Sequence, residues 1–559
     1  MSFAEKQRRA RAEWAAWQQG NEPRILVGAA SCGQTGAPAV TAALRDALAR
    51  HKIKATVTPV GGLGLCYAEP MVGIIKPGHP RVTYGPVTPA TAAALVEDWL
   101  VGDNPRPDLA LGTSGEGSLA GIPPLAELPM LRPQRRVALR HGGLIDPESL
   151  NHYLAHGGYE GLGRALEMTP EAVVEAVRRA GLRGAGGAGY PAGQKWEIAR
   201  RAPGGVKYII ANAHDTDPVA FAGRYLLESD PHAVLEGMLI GAYAVGAGEG
   251  YLYLHPEYRL AEARLRLALE QMAAAELGGE RILGSDFSCR LHIVSGSPEA
   301  VCGEETALIA SMEGRPAVPR PRPPYPDESG LWHRPTVVNS VETWSKVPAI
   351  LAGGGQGYRD TKLCCLGGEV ARCGLVEVPL GMPLRQIIDD IGGGMAVGRN
   401  LKAVQVGGFG GSCFPESQLD LPLDYPSFKE AGAMIGSGSI MVMAEDSCMV
   451  DVAARSLAAT SAAACGKCAP GRLGTRQMRD IMLNITAGRG EPDDLATLEE
   501  LGRVVRAASL CGLCAAGANP VLSTISHFRD EYEAHITEKR CPTGACRMLV
   551  TPAGGVAVT

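Results

Sequence analysis

Short apolar runs alternate with longer segments of helical period in the first half of the chain. Arg24–Ala30 and Lys54–Gly61 have the apolar, β-branched character of strands, and Val40–Arg50 between them has the repeat of a helix. The same order returns where the strands Val206–Ala213 and Gly250–Pro256 flank another helical segment. Alternation of strand, helix and strand is typical of a parallel sheet, which places its ligand loops at the carboxyl edge.

Two later regions follow different patterns. From Lys362 to Val442 short strands and Gly/Pro turns predict a small β-rich domain, whereas helical periods return from Asp446 to Tyr532. One helix start is specific, because Thr169 precedes Pro170 and an acidic first turn, and this helix is predicted to end at Gly181. A chain of 559 residues with such changes of pattern should form several domains.

Composition argues against several classes of function. The formal charge of −5 and a charged fraction of 20% give no basic field for nucleic acid. No apolar run reaches the roughly 18 to 20 residues that span a bilayer, and we expect neither a signal peptide nor direct membrane insertion. The fifteen cysteines lack the spacing of a secreted disulfide scaffold, which predicts a reducing, cytoplasmic compartment.

Two short motifs carry candidate chemistry. In Gly181–Trp196 (GLRGAGGAGYPAGQKW) successive glycines leave backbone N–H groups free for phosphate, and Lys195 adds a cation; a structural turn is the alternative for the glycines alone. The second motif, CGKC at Cys465–Cys468, fits a redox disulfide, half of a zinc site or half of an iron–sulfur site.

Five motifs occur in a recognisable order. They are GLRGAGGAGYPAGQKW from Gly181, ANAHDTDPVAFAGRYLLESDPH from Ala211, CGEETALIASMEGRPAVPRPRPPYP from Cys302, PTVVNSVET from Pro335 and CGKCAPGR from Cys465. Together they resemble the NADH-binding flavoprotein subunit of respiratory complex I, and the similarity runs from about Val137 to Tyr532. Closely related chains serve NAD-dependent formate dehydrogenases and cytoplasmic NAD-linked hydrogenases.

The resemblance implies an α/β multidomain fold with a thioredoxin-like N-terminal domain, a Rossmann-like FMN/NAD domain, a small β-grasp domain and a helical iron–sulfur domain. The expected boundaries are an N-terminal helix at 1–23, the thioredoxin-like domain at 24–115, a connector at 116–160, the FMN/NADH domain at 161–355, the β-grasp (ubiquitin-like) domain at 356–440, the helical [4Fe–4S] domain at 441–532 and a tail at 533–559. Relatives carry four [2Fe–2S] ligands in the N-terminal domain, where this chain keeps Cys32 and Cys66. Val27 and Gly62 stand at the other two positions, so we expect a structural or docking domain without that cluster.

The resemblance also implies an electron-transfer flavoprotein subunit of a multi-subunit cytoplasmic oxidoreductase, an NADH:acceptor (diaphorase) subunit. FMN would exchange hydride with NAD(H) and pass single electrons to a [4Fe–4S] cluster, and no side chain needs to act as acid or base. The expected partners are further iron–sulfur subunits of a hydrogenase, formate dehydrogenase or similar complex. The flavin-contacting positions are Gly184, Gly186, Gly187, Lys195, Asn212, His214, Asp215, Gly303, Glu304, Glu305, Asn339 and Ser340, and the NAD-contacting positions are Tyr190, Lys195, Asp217, Glu305, Arg322 and Tyr325.

Several of these positions depart from the family pattern. His214 replaces an acid that hydrogen-bonds the flavin, so an acceptor-only carboxylate becomes a ring that must donate from at least one nitrogen. Ala185 stands for an arginine and Ala300 for a tyrosine, while Asp215 and Asp217 shorten two glutamates. The alternative function is therefore a paralogue that has lost NADH and FMN chemistry and serves as a scaffold or iron–sulfur relay. A third is a retained flavin put to a different use.

The cysteine pattern of the cluster lacks one ligand position and has one additional cysteine. The family ligates its cluster with C-x-x-C-x-x-C and one distant cysteine, but Gly471 stands at the third position here. An additional Cys514 follows the expected distant Cys511, which predicts a [4Fe–4S] site of two C-x-x-C pairs, Cys465/Cys468 and Cys511/Cys514. Tetrahedral zinc is the competing interpretation.

The tail offers a second candidate metal site. His535, Cys541 and Cys546 follow the helical region, and Cys448 lies in a segment that can fold against them. One histidine and three cysteines would form a closed structural zinc site; the alternative is a vestigial group without metal. The other cysteines have no ligand spacing and are expected to be small buried residues, namely Cys289, Cys302, Cys364, Cys365, Cys373 and Cys413.

Overall fold

The protein contains three β-sheets and a helical region in the computed structural model, which describes residues 2–355 and 357–549. This is the mixed α/β architecture that the sequence predicted in outline. Each sheet, and the helical region, has its own large cluster of buried apolar side chains. Across the described ranges, no helix is long and apolar enough to cross a membrane.

The first sheet and its helices form an N-terminal unit, residues 2–115. Its strands are β1 (Arg24–Gly28), β2 (Thr56–Val60), β3 (Val72–Ile75), β4 (Arg81–Tyr84) and β5 (Ala110–Ser114), and its helices are α1 (Phe3–Gln19), α2 (Ala37–Arg50) and α3 (Pro89–Leu95). The strand order is β2-β1-β3-β4-β5, with β1 and β2 parallel and the other neighbours antiparallel. Helix α2 buries Val40, Leu44 and Ala47, a helical stripe, in the same core as Ile25 of β1. The predicted strands and helix are thus confirmed, with somewhat shorter strands.

The second sheet is fully parallel. Its strands are β6 (Tyr208–Ala213), β7 (Glu249–Leu254), β8 (Arg290–Ser295) and β9 (Thr336–Ser340), in the order β8-β7-β6-β9. The associated helices are α4 (Leu150–Ala155), α5 (Glu160–Leu166), α6 (Pro170–Arg179), α7 (Ala192–Arg201), α8 (Ala222–Ser229), α9 (Pro231–Val245), α10 (Arg259–Ala274), α11 (Glu305–Met312) and α12 (Val341–Ala352). Strand β6 is buried on both faces at Ile209, Ile210 and Ala211, as expected for a covered parallel sheet.

Local capping fixes the helix ends in this region. The Thr169 side chain accepts a hydrogen bond from the backbone N–H of Ala172, and α6 begins at the next residue as predicted. Helix α9 begins after Asp230, whose side chain accepts from the N–H of Ala233. It ends at Gly246 with a φ of 82°, a left-handed conformation that favours glycine.

The third sheet confirms the predicted small β-rich region. Its strands are β10 (Thr361–Gly368), β11 (Gly374–Pro379), β12 (Leu401–Val406), β13 (Ser412–Pro415) and β14 (Ser439–Ala444), in the order β11-β10-β14-β12-β13, and its helices are α13 (Leu384–Gln386) and α14 (Tyr425–Glu430). Leu63, Leu65 and Met71 of the N-terminal unit lie in the same buried cluster as Val376 of β11. The N-terminal unit and the third sheet therefore share one core.

The segment 116–160, expected to be a connector, contributes to two cores. Leu125 and Met130 join the cluster of the third sheet. Leu139 and Tyr153 join the cluster of the second sheet. The segment therefore packs against both sheets.

The helical region follows the third sheet. Its helices are α15 (Met449–Ala463), α16 (Thr475–Thr486), α17 (Asp494–Ala508), α18 (Gly512–Ala516), α19 (Asn519–His527) and α20 (Arg529–Ile536). Leu457, Met482, Leu498 and Val521 supply its core from four different helices. Cys465 and Cys468 lie in the connection between α15 and α16.

Candidate cofactor and metal sites

A cavity of about 780 Å³ opens at the carboxyl edge of the second sheet. Open α/β sheets bind ligands at this edge because the strand ends collect their loops there. The ends of β6 and β9, the glycine loop before α7, two loops of the third sheet and helix α18 all contribute to its wall. Every residue that the sequence assigned to flavin or NAD contact lines this one cavity.

The glycine loop presents bare backbone to the cavity. Its ends are tied together, since Gly184 N donates to Tyr190 O at 2.8 Å. Gly187 has a φ of 119°, and a Cβ at this position would lie 3.1 Å from the Cα of Gly436 in the third sheet. A Cβ at Gly186 would meet no atom within 4 Å. The loop therefore has the open, side-chain-free surface that a phosphate group needs.

Two cations and one carboxylate meet beside this loop. Lys195 Nζ donates to Val338 O at 3.0 Å and pairs with Glu305 Oε2 at 3.3 Å. Arg322 Nη1 contacts the other oxygen of Glu305 at 3.0 Å. Glu305 thus lies between two cations that can also receive phosphate groups.

Two tyrosine rings at the cavity are exposed. Tyr190 is 42% exposed and Tyr325 is 51% exposed, which is high for aromatic residues. Both line the cavity. Exposed rings of this kind gain buried area when a planar ligand ring stacks on them.

The loop after β6 holds its altered histidine in a defined orientation. His214 Nε2 lies 3.0 Å from Ser297 O, so this nitrogen carries the proton and donates, as the sequence required. Burial, with the neighbouring ring of His255, lowers the pKa of His214 to about 4 and keeps it neutral. Its buried Nδ1 has no hydrogen-bond partner within the described ranges. His214 therefore still offers an acceptor, in place of the family's carboxylate.

The two aspartates of this loop are engaged by protein donors. Asp215 Oδ2 accepts from Tyr258 Oη at 3.0 Å, and burial raises the pKa of this carboxyl. Asp217 Oδ2 accepts from Ser437 Oγ at 2.7 Å and Ser439 Oγ at 2.6 Å. Since those serines belong to the third sheet, Asp217 ties the second sheet to the third at the cavity wall.

Other predicted contact residues also make structural bonds. Asn212 Nδ2 donates to Gly303 O at 2.9 Å, and Glu304 caps α11 by accepting from the N–H of Thr306. Ser340 caps α12 through its hydroxyl group. Asn339 lies with its amide nitrogen 3.1 Å from Val338 O and its amide oxygen 3.0 Å from Trp196 Nε1.

Sequence reasoning missed several residues in and around the cavity, of which three make defined bonds. Thr343 Oγ1 accepts from Ala185 N at 2.9 Å and so fixes the glycine loop to α12. Lys362 Nζ pairs with Glu342 Oε2 at 2.6 Å, and both residues line the cavity. Thr343 and Glu342 lie within the PTVVNSVET motif, which was a usable signal, whereas Lys362 is distant in sequence and gave none.

The two C-x-x-C pairs meet beside Gly471, where the sulfurs of Cys468 and Cys514 both lie, and Cys511 is hydrogen-bonded to Cys514. A Cβ at Gly471 would lie 2.9 Å from Cys514 Sγ and 3.2 Å from Cys468 Sγ. The Cys514 sulfur therefore occupies the space into which a side chain at position 471 would point. A hydrogen bond from Cys514 lowers the pKa of Cys511 to about 7 and raises that of Cys514. Four neighbouring thiols are the donor set of a [4Fe–4S] cluster, and the residues fit that group.

The tail group also comes together. The ligand atoms of Cys448, His535, Cys541 and Cys546 lie within 4.8 Å of one another. His535 Nε2 is 3.6 Å from Cys448 Sγ, and its Nδ1 donates to Glu531 O at 2.7 Å. Such a backbone bond orients a histidine ligand from its far side. Three sulfurs and one nitrogen at this spacing fit tetrahedral zinc.

The N-terminal unit differs, because Cys32 and Cys66 are joined in a disulfide with Cα atoms 5.5 Å apart. This pairing was not predicted. A Cβ at Gly62, one of the two positions that lack a ligand cysteine, would lie 2.7 Å from Glu69 Oε1. The residues here do not fit a [2Fe–2S] cluster. The six cysteines outside all these groups are buried as expected, except that Cys373 is only half-buried.

Comparisons with known proteins agree with the geometry. Residues 177–349 match the family described as the Nuo51 FMN-binding domain, and residues 451–535 match the NADH-ubiquinone oxidoreductase-F iron-sulfur binding region. The HndC subunit of the NADP-reducing hydrogenase of Solidesulfovibrio fructosivorans is 45% identical over 426 residues, 75% of this chain and 87% of that one. The F 2 subunit of the NADH-quinone oxidoreductase of Rhizobium meliloti is 40% identical over 415 residues, 73% and 99% of the two chains.

The chain belongs to this family of NADH-quinone oxidoreductase F-type subunits. The corresponding subunit of the NADH-quinone oxidoreductase of Escherichia coli is also similar to it, 38% identical over 403 residues, 70% of this F-type subunit and 91% of its relative. Among solved structures, a chain of an NAD+-reducing [NiFe]-hydrogenase in the H2-reduced state is 27% identical, with a TM-score of 0.63. That match covers 95% of this F-type subunit and 87% of the hydrogenase chain, and it confirms the resemblance inferred from the motifs.

Proposed function

We propose that this F-type subunit carries electrons between NAD(H) and a [4Fe–4S] cluster within a multi-subunit oxidoreductase. The position of α18 carries the proposal, because Gly512 and Leu513 line the cavity while Cys511 and Cys514 lie in the same short segment. A ligand in the cavity and a cluster on the cysteines would therefore be close neighbours. FMN, when bound, supplies the conversion between a hydride and single electrons.

The cavity residues fit FMN. The loop Gly184–Gly187 and Lys195 would hold its phosphate group, since they combine bare backbone with a cation. His214 Nδ1 is a buried acceptor without a protein partner in the described part of the chain, and a donor on the ligand would satisfy it. Asn212 and Asn339 would act mainly by fixing the backbone around the ring site.

The dinucleotide would take the outer part of the same cavity. Tyr190 and Tyr325 would stack on its rings, since both are exposed there. Arg322 and Glu305 would bind its polar groups. We assign Asp217 a positioning role toward the nicotinamide end, because its carboxylate already bridges two sheets.

Four cysteines, Cys465, Cys468, Cys511 and Cys514, would ligate the [4Fe–4S] cluster, and Cys448, His535, Cys541 and Cys546 would bind a structural zinc ion. The first set carries the electron-transfer function. The second would hold the end of the helical region against the start of α15, because Cys448 directly precedes that helix. Zinc at the second set is independent of redox chemistry at the first.

The wider setting follows from these assignments. We infer a cytoplasmic subunit whose electrons continue to further iron–sulfur subunits of a hydrogenase, formate dehydrogenase or similar complex. The N-terminal unit would be a thioredoxin-like docking domain, the second sheet a Rossmann-like FMN/NADH domain, the third sheet a β-grasp domain and the last region a helical iron–sulfur domain. Their boundaries would lie near residues 115, 355 and 440.

A second function is a relay or scaffold without NADH chemistry. It is favoured by the protein donors that engage Asp215 and Asp217, and by the replacement of an acid with His214. The two functions differ in flavin content. In the relay, the cavity would hold no FMN while the cysteines would still bind iron.

The deciding experiment is cofactor analysis of anaerobically purified protein, followed by addition of NADH. We expect bound FMN that NADH bleaches, together with about four irons. Iron without flavin would overturn the flavin function and establish the relay.

Replacement of Lys195 with Ala provides a site-specific test of the flavin cradle. We expect FMN affinity to fall by about 10- to 100-fold, since a hydrogen bond to a charged group is lost. Arg201→Ala is the matched control, because Arg201 lies on the same helix with a 77% exposed side chain. Equal flavin retention in the two variants would exclude Lys195 from the cradle.

A further inference from the structure

Both cysteines of the N-terminal unit lie in segments that contact the rest of the protein. Cys32 belongs to the turn Ser31–Thr35, and Ser31 N donates to Glu228 Oε2 of α8 at 2.6 Å. Cys66 ends a loop that begins at Gly61, where a Cβ would lie 2.6 Å from the side chain of Ser229. The disulfide thus joins the two segments through which this unit contacts the end of α8.

The Cys66 segment also docks on the third sheet. Leu375 N of β11 donates to Gly64 O at 2.8 Å, and Tyr67 N donates to Cys373 O at 3.2 Å. A Cβ at Gly64 would collide with Leu375 O at 2.2 Å. Such close backbone contact requires the loop to keep one conformation. The disulfide from Cys66 to Cys32 helps to hold it there, because it limits the motion of the loop.

Helix α8 connects this junction to the cofactor cavity. Its first residues, Ala222 and Gly223, line the cavity. Tyr225, in its middle, donates to Gly62 O, and Glu228 accepts from Ser31. The helix has eight residues and is therefore about 12 Å long. A movement of the disulfide segments can therefore be transmitted through α8 to the cavity wall.

A half-buried carboxyl group lies beside the disulfide. Glu69 follows Cys66 by three residues, and a Cβ at Gly33, next to Cys32, would lie 2.7 Å from Glu69 Oε2. The N–H of Met71 donates to Glu69 at 3.0 Å, and no cationic side chain is paired with it in residues 2–355 and 357–549. Tyr225 faces it from α8. A half-buried carboxyl with so few partners costs stability.

We propose that Cys32 and Cys66 form a reversible dithiol–disulfide site, reduced by dithiols, whose redox state controls how firmly the N-terminal unit docks on α8 and β11. The site lies where the residues do not fit a [2Fe–2S] cluster and replaces metal chemistry with thiol chemistry.

The reaction balances without any other reagent. A thiolate of the dithiol attacks one sulfur of the disulfide, the Cys32–Cys66 bond breaks, and a mixed disulfide forms. The second thiol of the reagent then displaces the remaining cysteine sulfur. The protein gains two thiols, and the reagent is oxidised to its own disulfide, so two electrons and two protons move to the protein.

Reversibility follows from exposure. Cys32 and Cys66 are half-buried, so a small dithiol can reach them. Exchange at an accessible disulfide is typical of redox-sensing sites.

The first test is equilibration of the native, complete protein in mixtures of reduced and oxidised dithiothreitol, with alkylation and peptide mass analysis. We expect the Cys32–Cys66 cross-linked peptide to disappear and both cysteines to become alkylated together, and the cross-link to return on reoxidation. A cross-link that yields only after unfolding would overturn the proposal. So would two cysteines that are alkylated without any reductant.

The second test is amide hydrogen exchange of the oxidised and reduced protein. We expect exchange in residues 222–229 and 374–379 to rise by about tenfold on reduction, because the junction loosens. Cys66→Ser should match the reduced protein in either buffer. Cys373→Ser, a half-buried cysteine at the same junction, should keep the redox response. Equal exchange in both states of the wild type would overturn the docking role.

Discussion

The N-terminal unit and the helical region have each lost ligand cysteines, with opposite results. In the helical region, position 471 is glycine, and the Cys514 sulfur fills the space in front of it. In the N-terminal unit, position 62 is glycine, and the Glu69 carboxyl fills the corresponding space. One gap is filled by a thiol, which can ligate a metal, and the other by a carboxyl, which leaves no room for a ligand cysteine. The loss of a motif residue therefore does not by itself show that a metal site is lost. The side chain that occupies the vacated space must also be known.

The difference also separates two kinds of thiol chemistry. Cys465, Cys468, Cys511 and Cys514 are free, and the sulfurs of Cys468 and Cys514 lie together in front of Gly471, which suits a metal cluster. The two cysteines of the N-terminal unit bond to each other. The same residue type thus supplies free thiols suited to a metal in one region and a covalent link in the other.

The largest expected effect is the loss of Cys514, which we expect to replace the ligand missing at position 471. Cys514→Ser should reduce bound iron from about four atoms per chain to fewer than about one and abolish the cluster absorbance, because only three thiols remain. Cys413→Ser, a buried cysteine outside the set, should retain the iron. Wild-type iron in Cys514→Ser would contradict the ligand assignment.

The reverse exchange sharpens the same comparison. Gly471→Cys combined with Cys514→Gly returns the ligand to the family position, and we expect iron near the wild-type content. The reason is geometric, since a side chain at 471 points to the space that the Cys514 sulfur occupies. Iron analysis and visible absorbance measure the outcome. A double variant as poor in iron as Cys514→Ser would show that the two positions are not equivalent.

A smaller effect concerns the tail. His535→Ala should remove about one zinc per chain and lower the Tm by about 5 °C, because a structural metal contributes directly to folding. Iron should stay unchanged, which would separate this site from the cluster. His527→Ala, at the end of the preceding helix, is the control for loss of a histidine. Equal zinc in both variants would exclude His535 as a ligand.

The smallest effect concerns Glu69. Burial raises its pKa to about 7 from an ordinary value of 4.5, so the folded state binds a proton that the unfolded state has released between these pH values. Stability should therefore fall as pH rises through this window, by at most about 1.4 kcal/mol per pH unit. Tyr225, the titratable group facing it, has its pKa raised to about 12 and does not titrate there.

Glu69→Gln should flatten this decline, whereas the exposed Glu116→Gln in the loop that follows the same unit should leave it intact. Urea unfolding at several pH values measures both slopes. A decline of equal steepness in the wild type and Glu69→Gln would assign the pH dependence to another group.

The sequence predicted what depends on local pattern. The start of α6 at Pro170, the strand at Ile209 and the two C-x-x-C pairs follow from neighbouring residues, and the structure has them. The part of the cavity lining that comes from the second sheet was predictable through family motifs, whereas Lys362 and the loops of the third sheet were not. The disulfide was not, because its cysteines are 34 residues apart and nothing near either one marks a partner. The bonds from Asp217 to two serines of the third sheet depend on tertiary packing for the same reason.

The core shared by the N-terminal unit and the third sheet limits how the chain can be divided. Leu63, Leu65 and Met71 are buried together with Val376, so a chain shortened to begin at residue 116 would expose an apolar face on the third sheet. Such a fragment would tend to aggregate. The N-terminal unit therefore cannot be replaced by another domain without changes elsewhere in the chain. Substitutions in the loop that carries Leu63 and Leu65 must be matched by substitutions in the third sheet, about 300 residues further along the chain.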